Sequence, residues 1–235
     1  MKITSVFIHG MWSRSKRMEF WRSRLSQRME AHAINLDRSN ITQKRIGDYV
    51  RQVESFLSSL STDKIVIVGH SMGGLIAQKA EDARIERRIL AAPALPKGIF
   101  SIDNFTQIFS MLGQLNQSFR RKTTLPTKFW SERLIFNMHK TLGLKWDHKE
   151  LVPQSYRAFE ETLFGIPVLK RSNVHIFVGS RDLITPPRAQ KRLAQYHDAT
   201  LKIFPEQDHC SICQSEEVAG YIVELASGDQ NAAAL

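Results

Sequence analysis

Short apolar runs rich in β-branched residues alternate along the chain with stretches of helical periodicity. Several of these runs are apolar at consecutive positions, as in strands that are buried on both faces. The helical stretches between them include the face formed by Met18, Trp21 and Leu25. This alternation predicts an α/β protein, a three-layer α/β/α sandwich around a mostly parallel central sheet. The predicted strands are Ile3–Ile8, Ala33–Leu36, Ile65–Val68, Arg88–Ala92, Val174–Val178 and Leu201–Phe204.

The strand rhythm stops between about residues 97 and 170, where apolar residues recur at helical spacing. We therefore predict one domain over residues 1–227 with a helical insertion at about 97–170. Residues 228–235 read GDQNAAAL, which indicates either a disordered tail or an expression-vector remnant.

The composition narrows the class of protein. With 42% apolar and 24% charged residues, the chain resembles neither a disordered nor a membrane protein. We find no segment long enough to span a bilayer and no signal-peptide core, and two cysteines make no disulfide framework, so we expect a cytoplasmic protein. The net charge of +10 favours anionic partners, but no nucleic-acid-binding motif accompanies it.

One predicted strand runs directly into a glycine-rich turn. After Ile65–Val68 the sequence reads Gly69-His-Ser71-Met-Gly73-Gly74, a G-x-S-x-G pattern followed by a helix-compatible run. A sharp strand-to-helix turn lifts its serine clear of the backbone and leaves no room for side chains two residues to either side, which Gly69 and Gly73 satisfy. Free N–H groups at the helix start favour developing negative charge. Ser71 is therefore a candidate nucleophile, and an ordinary N-cap serine is the alternative.

A serine nucleophile needs a base, and the base needs an orienting carboxylate. Asp182 follows the predicted strand Val174–Val178, and His209 follows Leu201–Phe204, so each lies beyond the carboxyl end of a strand. Ligands bind at this edge of open α/β sheets, and Ser, Asp, His is the chain order expected there. Asp208 is a rival acid, but neighbouring residues rarely aim their side chains at each other, which favours Asp182.

These segments resemble the α/β-hydrolase fold superfamily over nearly the whole chain. The resemblance implies Ser71 as nucleophile, His209 as general base and then general acid, and Asp182 as the residue that holds His209 in the productive tautomer. It also implies that the backbone N–H groups of Met11 and Met72 form an oxyanion hole. The segments that carry the resemblance are His9-Gly10-Met11-Trp12, Gly-His-Ser71-Met-Gly-Gly, the G-x-x-D loop ending at Asp182 and the x-x-D-H segment ending at His209.

In this superfamily an insertion between the halves of the sheet resembles a lid whose inner face selects the substrate. The insertion carries 11 basic against 6 acidic residues, with its densest cluster at Arg120-Arg121-Lys122. This charge could attract an anionic carrier or a lipid surface, or could simply be a solvated face. Trp12 is a candidate substrate-binding residue. The insertion residues that could line the same pocket, or could only pack the lid onto the body, include Phe105, Phe109, Trp130 and Phe159.

Cys210 and Cys213 suggest a metal or redox pair beside His209, but a metal would consume the lone pair that a general base needs. We therefore expect no metal and no cofactor. The expected function is a serine hydrolase that cleaves a carboxylic ester or thioester of a small molecule through an acyl-enzyme. A slow-turnover or non-hydrolytic ligand-binding protein of the same fold, and a C–C bond hydrolase or lyase that uses the same triad, remain the alternatives.

Overall fold

A computed structural model of the chain describes residues 1–99, 122–145 and 148–228. Its central sheet contains six parallel strands in the order β2-β1-β3-β4-β7-β8, and β5 pairs with β6 in a separate two-stranded antiparallel sheet. The strands are β1 (Ile3–Ile8), β2 (Glu30–Ile34), β3 (Lys64–His70), β4 (Ile85–Ala91), β5 (Thr123–Thr124), β6 (Gln154–Ser155), β7 (Val174–Gly179) and β8 (Thr200–Phe204).

Helices cover both faces of the central sheet, because its strands are apolar on both sides. In β3, Ile65 and Ile67 belong to one core, whereas Val66 and Val68 belong to the core on the opposite face. The first core is shared with α2 (Ile46–Ser59), α3 (Met72–Lys79) and the helix Pro187–His197, and the second with α1 (Glu19–Leu25) and the helix Glu216–Ser227. The predicted three-layer α/β/α sandwich with a parallel sheet is therefore confirmed.

The prediction of β2 was wrong in position. We expected Ala33–Leu36, but the strand runs from Glu30 to Ile34. β2 lies at the edge of the sheet and pairs with β1 alone, in a register that ends where Ile8 meets Ile34. The N–H of Leu36 donates to His9 Nε2 instead (3.2 Å). The length of the neighbouring strand, rather than the apolar pattern of β2, therefore sets its bounds.

The connection between β4 and β7 contains the helix Tyr156–Phe164 and a short helical segment, Lys128–Trp130, that continues as a π-helical turn. The short strands β5 and β6 were not predicted, since two-residue strands leave no periodicity to detect. Trp12 joins this connection to the loop after β1: its indole N–H donates to Thr124 Oγ1 (3.0 Å), and its carbonyl accepts from the N–H of Val152 (2.9 Å).

Some residues singled out in the sequence, namely Phe105, Phe109, Arg120, Arg121 and 229–235, lie outside the described residues. In the part of the chain that the structure describes, no helix has both the length and the apolar character that crossing a bilayer requires.

Candidate active site

Ser71 sits between the end of β3 and the start of α3, in a backbone conformation that side chains rarely adopt (φ 55°, ψ −121°). The turn closes only because its neighbours are glycines. A Cβ atom on Gly69 would lie 2.3 Å from the carbonyl oxygen of Gly73, and a Cβ on Gly73 would lie 2.3 Å from that of Ile8. The turn therefore has the sharp strand-to-helix geometry that the sequence predicted.

A line of hydrogen bonds connects Ser71, His209 and Asp182. His209 Nε2 lies 3.0 Å from Ser71 Oγ, and His209 Nδ1 lies 2.9 Å from Asp182 Oδ2. An ionised carboxylate only accepts hydrogen bonds, so the proton of a neutral His209 is on Nδ1 and its Nε2 lone pair faces the serine hydroxyl. The loops after β3, β7 and β8 supply the three side chains, which meet at the carboxyl edge of the sheet.

Asp182 is buried and held by more than the imidazole. Its Oδ1 accepts from the N–H groups of Ile184 and Thr185, both at 2.8 Å, and Thr185 Oγ1 donates to Oδ2 at 3.1 Å. Burial raises the pKa of Asp182, but the charge and hydrogen bond of His209 and the two N–H donors outweigh burial, so its pKa lies below the ordinary value. The carboxylate is therefore ionised at neutral pH.

His70 supports the backbone on which His209 stands. Its Nε2–H donates to the carbonyl oxygen of His209 at 2.7 Å, and the two rings lie 4.9 Å apart. Burial, aided by the charge of His209, lowers the pKa of His70 to about 3, so it stays neutral. This role could not be predicted from the sequence, where His70 is only the neighbour of Ser71, because His70 and His209 are 139 residues apart.

Met11 and Met72, whose N–H groups were expected to form the oxyanion hole, flank the nucleophile. Met72 is the first residue of α3, and Met11 lines the same cavity as Ser71. Among the hydrogen bonds of the described residues, neither N–H donates to a protein acceptor. Neither N–H group is therefore occupied by another group in the described part of the chain.

A mostly apolar cavity of about 130 Å³ opens over Ser71 and His209. Trp12 and Phe159, both expected in a substrate pocket, line it with ring centroids 5.8 Å apart. Trp130 is not among the described lining residues; it packs against the cluster that contains Trp12 and Phe159, which is one of the two roles that the sequence left open for it. The other described lining residues include Ile99, Ile135, Phe136, Leu151, Leu163, Phe164, Ile184 and Cys210.

Asp208 makes no hydrogen bond to the His209 ring and instead fixes the surrounding backbone. One of its carboxylate oxygens accepts from the N–H groups of Cys210 (2.9 Å) and Ser211 (2.6 Å), and the other accepts from the N–H of Met138 (2.7 Å) and from His139 Nδ1 (3.3 Å). Burial raises the pKa of Asp208, but these donors outweigh it, so its pKa is below the ordinary value. Asp208 thus ties the β4–β7 connection to the loop that carries His209.

The buried thiols of Cys210 and Cys213 have raised pKa values because of burial. Across residues 1–99, 122–145 and 148–228, no three His, Cys, Asp or Glu side chains converge as metal ligands. The cysteines therefore pack as small, protonated side chains, with Cys210 in the cavity wall.

The parallel sheet covered on both faces, with a serine at the turn after a central strand, defines the α/β-hydrolase class of protein. The model of the Alpha/beta hydrolase family matches residues 6–220, and the chain belongs to this family.

Known proteins share the fold at low sequence identity. A methylesterase from Arabidopsis, MES16, superposes with a TM-score of 0.70 and 17% identity over 96% of this chain and 99% of its own. A pyrethroid hydrolase from Sphingobium faniae JZ-2 gives a TM-score of 0.71 and 14% identity over 98% of this chain and 100% of its own. A Mycoplasma pneumoniae protein provisionally named esterase/lipase 2 is 23% identical over 173 residues, which are 71% of this chain and 64% of that protein.

Proposed function

We propose that the protein hydrolyses a carboxylic ester or thioester of a small, partly apolar substrate through an acyl-enzyme on Ser71. The observation that carries the proposal is the hydrogen-bonded line of Ser71, His209 and Asp182 at the floor of an apolar cavity. A base within hydrogen-bonding reach of a strained, accessible serine is the arrangement that nucleophilic catalysis requires.

In the proposed reaction, His209 Nε2 takes the hydroxyl proton as Ser71 Oγ attacks the substrate carbonyl carbon. The carbonyl oxygen becomes an oxyanion, which the N–H groups of Met11 and Met72 stabilise. His209 then donates the proton to the leaving alcohol or thiol, and the acyl group stays on Ser71. A water molecule deprotonated by His209 releases the acid and restores the enzyme, while Asp182 stabilises the imidazolium in both halves of the reaction.

The cavity supports a substrate with a small apolar group. Its volume of about 130 Å³ is close to the roughly 150 Å³ of an engineered apolar cavity that binds benzene. Two structural neighbours carry names that state ester chemistry, a methylesterase and polyneuridine aldehyde esterase. These names favour an ester over a C–C bond as the scissile group.

Covalent labelling with a fluorophosphonate tests the proposal. We expect one adduct, mapped to Ser71 by peptide mass spectrometry, and none in Ser71→Ala or His209→Ala. Ser180→Ala is a matched control, because Ser180 is exposed and lies outside the cavity. A folded wild-type protein that takes no adduct but is stabilised by apolar esters would contradict the hydrolase and support a ligand-binding protein.

A further inference from the structure

A second cavity, of about 400 Å³, adjoins the cavity over Ser71, because Ser13 and Arg17 line both of them. Its described walls come from three parts of the chain that are distant in sequence. The first leads from β1 into α1, the second belongs to the β4–β7 connection, and the third follows β8. The lining residues of these parts are Ser13, Arg14, Lys16, Arg17 and Phe20, then Lys145, Lys149, Glu150 and Val152, then Cys213 and Gln214. A molecule bound over Ser71 can therefore extend into the second cavity.

The described residues that line the second cavity, here called the basic cavity, carry a strong excess of positive charge. Among its described lining residues, Glu150 is the one carboxylate, and it lies 3.8 Å from both Lys16 and Arg17, the outer limit of an ion pair. Like charges that line one cavity repel each other, and an anion bound between them relieves the repulsion. The five cationic lining residues are Arg14, Lys16, Arg17, Lys145 and Lys149.

Arg17 connects this charge to the reaction site. Its side chain is only 13% exposed, and its guanidinium carbon lies 5.4 Å from the ring centre of Phe136, which lines the cavity over Ser71. Its field also extends inward: burial raises the pKa of Cys213 to about 12, and the Arg17 charge opposes that rise. A mostly buried cation that shares its carboxylate partner, Glu150, with Lys16 favours the binding of an external anion.

We propose that the basic cavity binds an anionic group, a phosphate or a carboxylate, of the same substrate whose carbonyl carbon Ser71 attacks. The inference rests on the proposed function and narrows it to esters or thioesters that carry an anionic arm. The arm belongs either to the leaving group, as in a phosphate-bearing thiol, or to the acyl group, as in a half-ester of a dicarboxylic acid. In both cases the apolar cavity holds the neutral part, and Arg17 lies between the two parts.

Two matched substrate pairs test the proposal and distinguish the two sources of the anion. S-Butyryl-4′-phosphopantetheine against S-butyrylpantetheine differs only in the phosphate of the leaving group. Mono-p-nitrophenyl glutarate against p-nitrophenyl pentanoate changes the charge of the acyl group only. We expect at least one anionic member to have a kcat/KM about tenfold or more above that of its neutral partner at low salt, and this ratio should fall as salt screens the charges.

The double variant Lys145→Gln/Lys149→Gln removes two charges from the basic cavity and should lower the anionic-to-neutral ratio by about tenfold. Lys191→Gln/Arg192→Gln, on an exposed helix face outside both cavities, removes the same charge and should leave the ratio unchanged. Equal kcat/KM values within both pairs, or a ratio that survives the first double variant, would overturn the inference. Absence of hydrolysis of every substrate, neutral ones included, would instead reject the proposed function.

Discussion

Replacement of Asp208 by asparagine is expected to loosen the β4–β7 connection from the loop that carries His209. The carboxylate accepts four hydrogen bonds: two come from Cys210 and Ser211, just after His209, and two come from Met138 and His139, 70 and 69 residues away. An asparagine has one acceptor oxygen, so it can serve only one of these pairs. With the oxygen on the Cys210 and Ser211 pair, which flanks His209, the NH2 group faces the N–H of Met138, donor against donor.

The size of the effect follows from that mismatch. His139 can adapt by changing its tautomer. The N–H of Met138 has no such freedom, so it is left facing the buried NH2 group of the asparagine. Leaving a buried donor unpaired costs about 1–3 kcal/mol, and loss of charge-assisted hydrogen bonds adds a similar amount. We therefore expect Asp208→Asn to lower the free energy of unfolding by about 3 kcal/mol. We also expect a rate of fluorophosphonate labelling of Ser71 about tenfold lower, because the backbone on both sides of His209 becomes less constrained.

Urea unfolding at pH 7 and a labelling time course measure the two effects. Asp198→Asn is the matched control, since the side chain of Asp198 is 76% exposed and its replacement should change stability by less than about 0.5 kcal/mol. If Asp208→Asn is within about 1 kcal/mol of the wild type and labels at the wild-type rate, then Asp208 does not couple the connection to the catalytic loop and this reasoning is wrong.

Three further predictions follow from the site. Gly73→Ala should lower the free energy of unfolding by more than about 3 kcal/mol, because its Cβ would lie 2.3 Å from a carbonyl oxygen of β1. Gly47→Ala should be tolerated, because the nearest atom to its Cβ would be 3.7 Å away, and thermal melting of the two variants compares them. Burial lowers the pKa of His9 and His70 to about 4 and about 3, so below about pH 6.5 the unfolded chain binds more protons. Stability should therefore fall from about pH 6.5 towards pH 4, by up to about 1.4 kcal/mol per unit for each histidine, and a flat urea-unfolding profile would contradict this. Trp12→Phe removes the indole hydrogen bond to the β4–β7 connection. It should lower the free energy of unfolding in urea by about 1 kcal/mol and raise KM for neutral esters. Unchanged values would show that this hydrogen bond does not hold the cavity wall.

The site could be predicted from the sequence where its parts are local. Gly69 and Gly73 lie two residues to either side of Ser71, and the turn has no room for a Cβ atom at either position. The requirement for glycine is therefore visible in the local sequence. Asp182 and His209 each follow an apolar strand, and parallel strands bring their carboxyl ends to one edge whatever lies between them. Periodicity in each strand and helix likewise determined the layered fold, because it reports which faces of an element are buried.

Tertiary structure decided the features that depend on a partner distant in the chain. The bounds of β2 follow from the length of β1, and the roles of Asp208 and His70 follow from contacts across 70 and 139 residues. Arg17 likewise gains its place between two cavities from the contact with Glu150, 133 residues further along the chain. A sequence records the chemistry and the local spacing of each residue, whereas the choice of partner depends on packing the whole chain, which no local pattern contains.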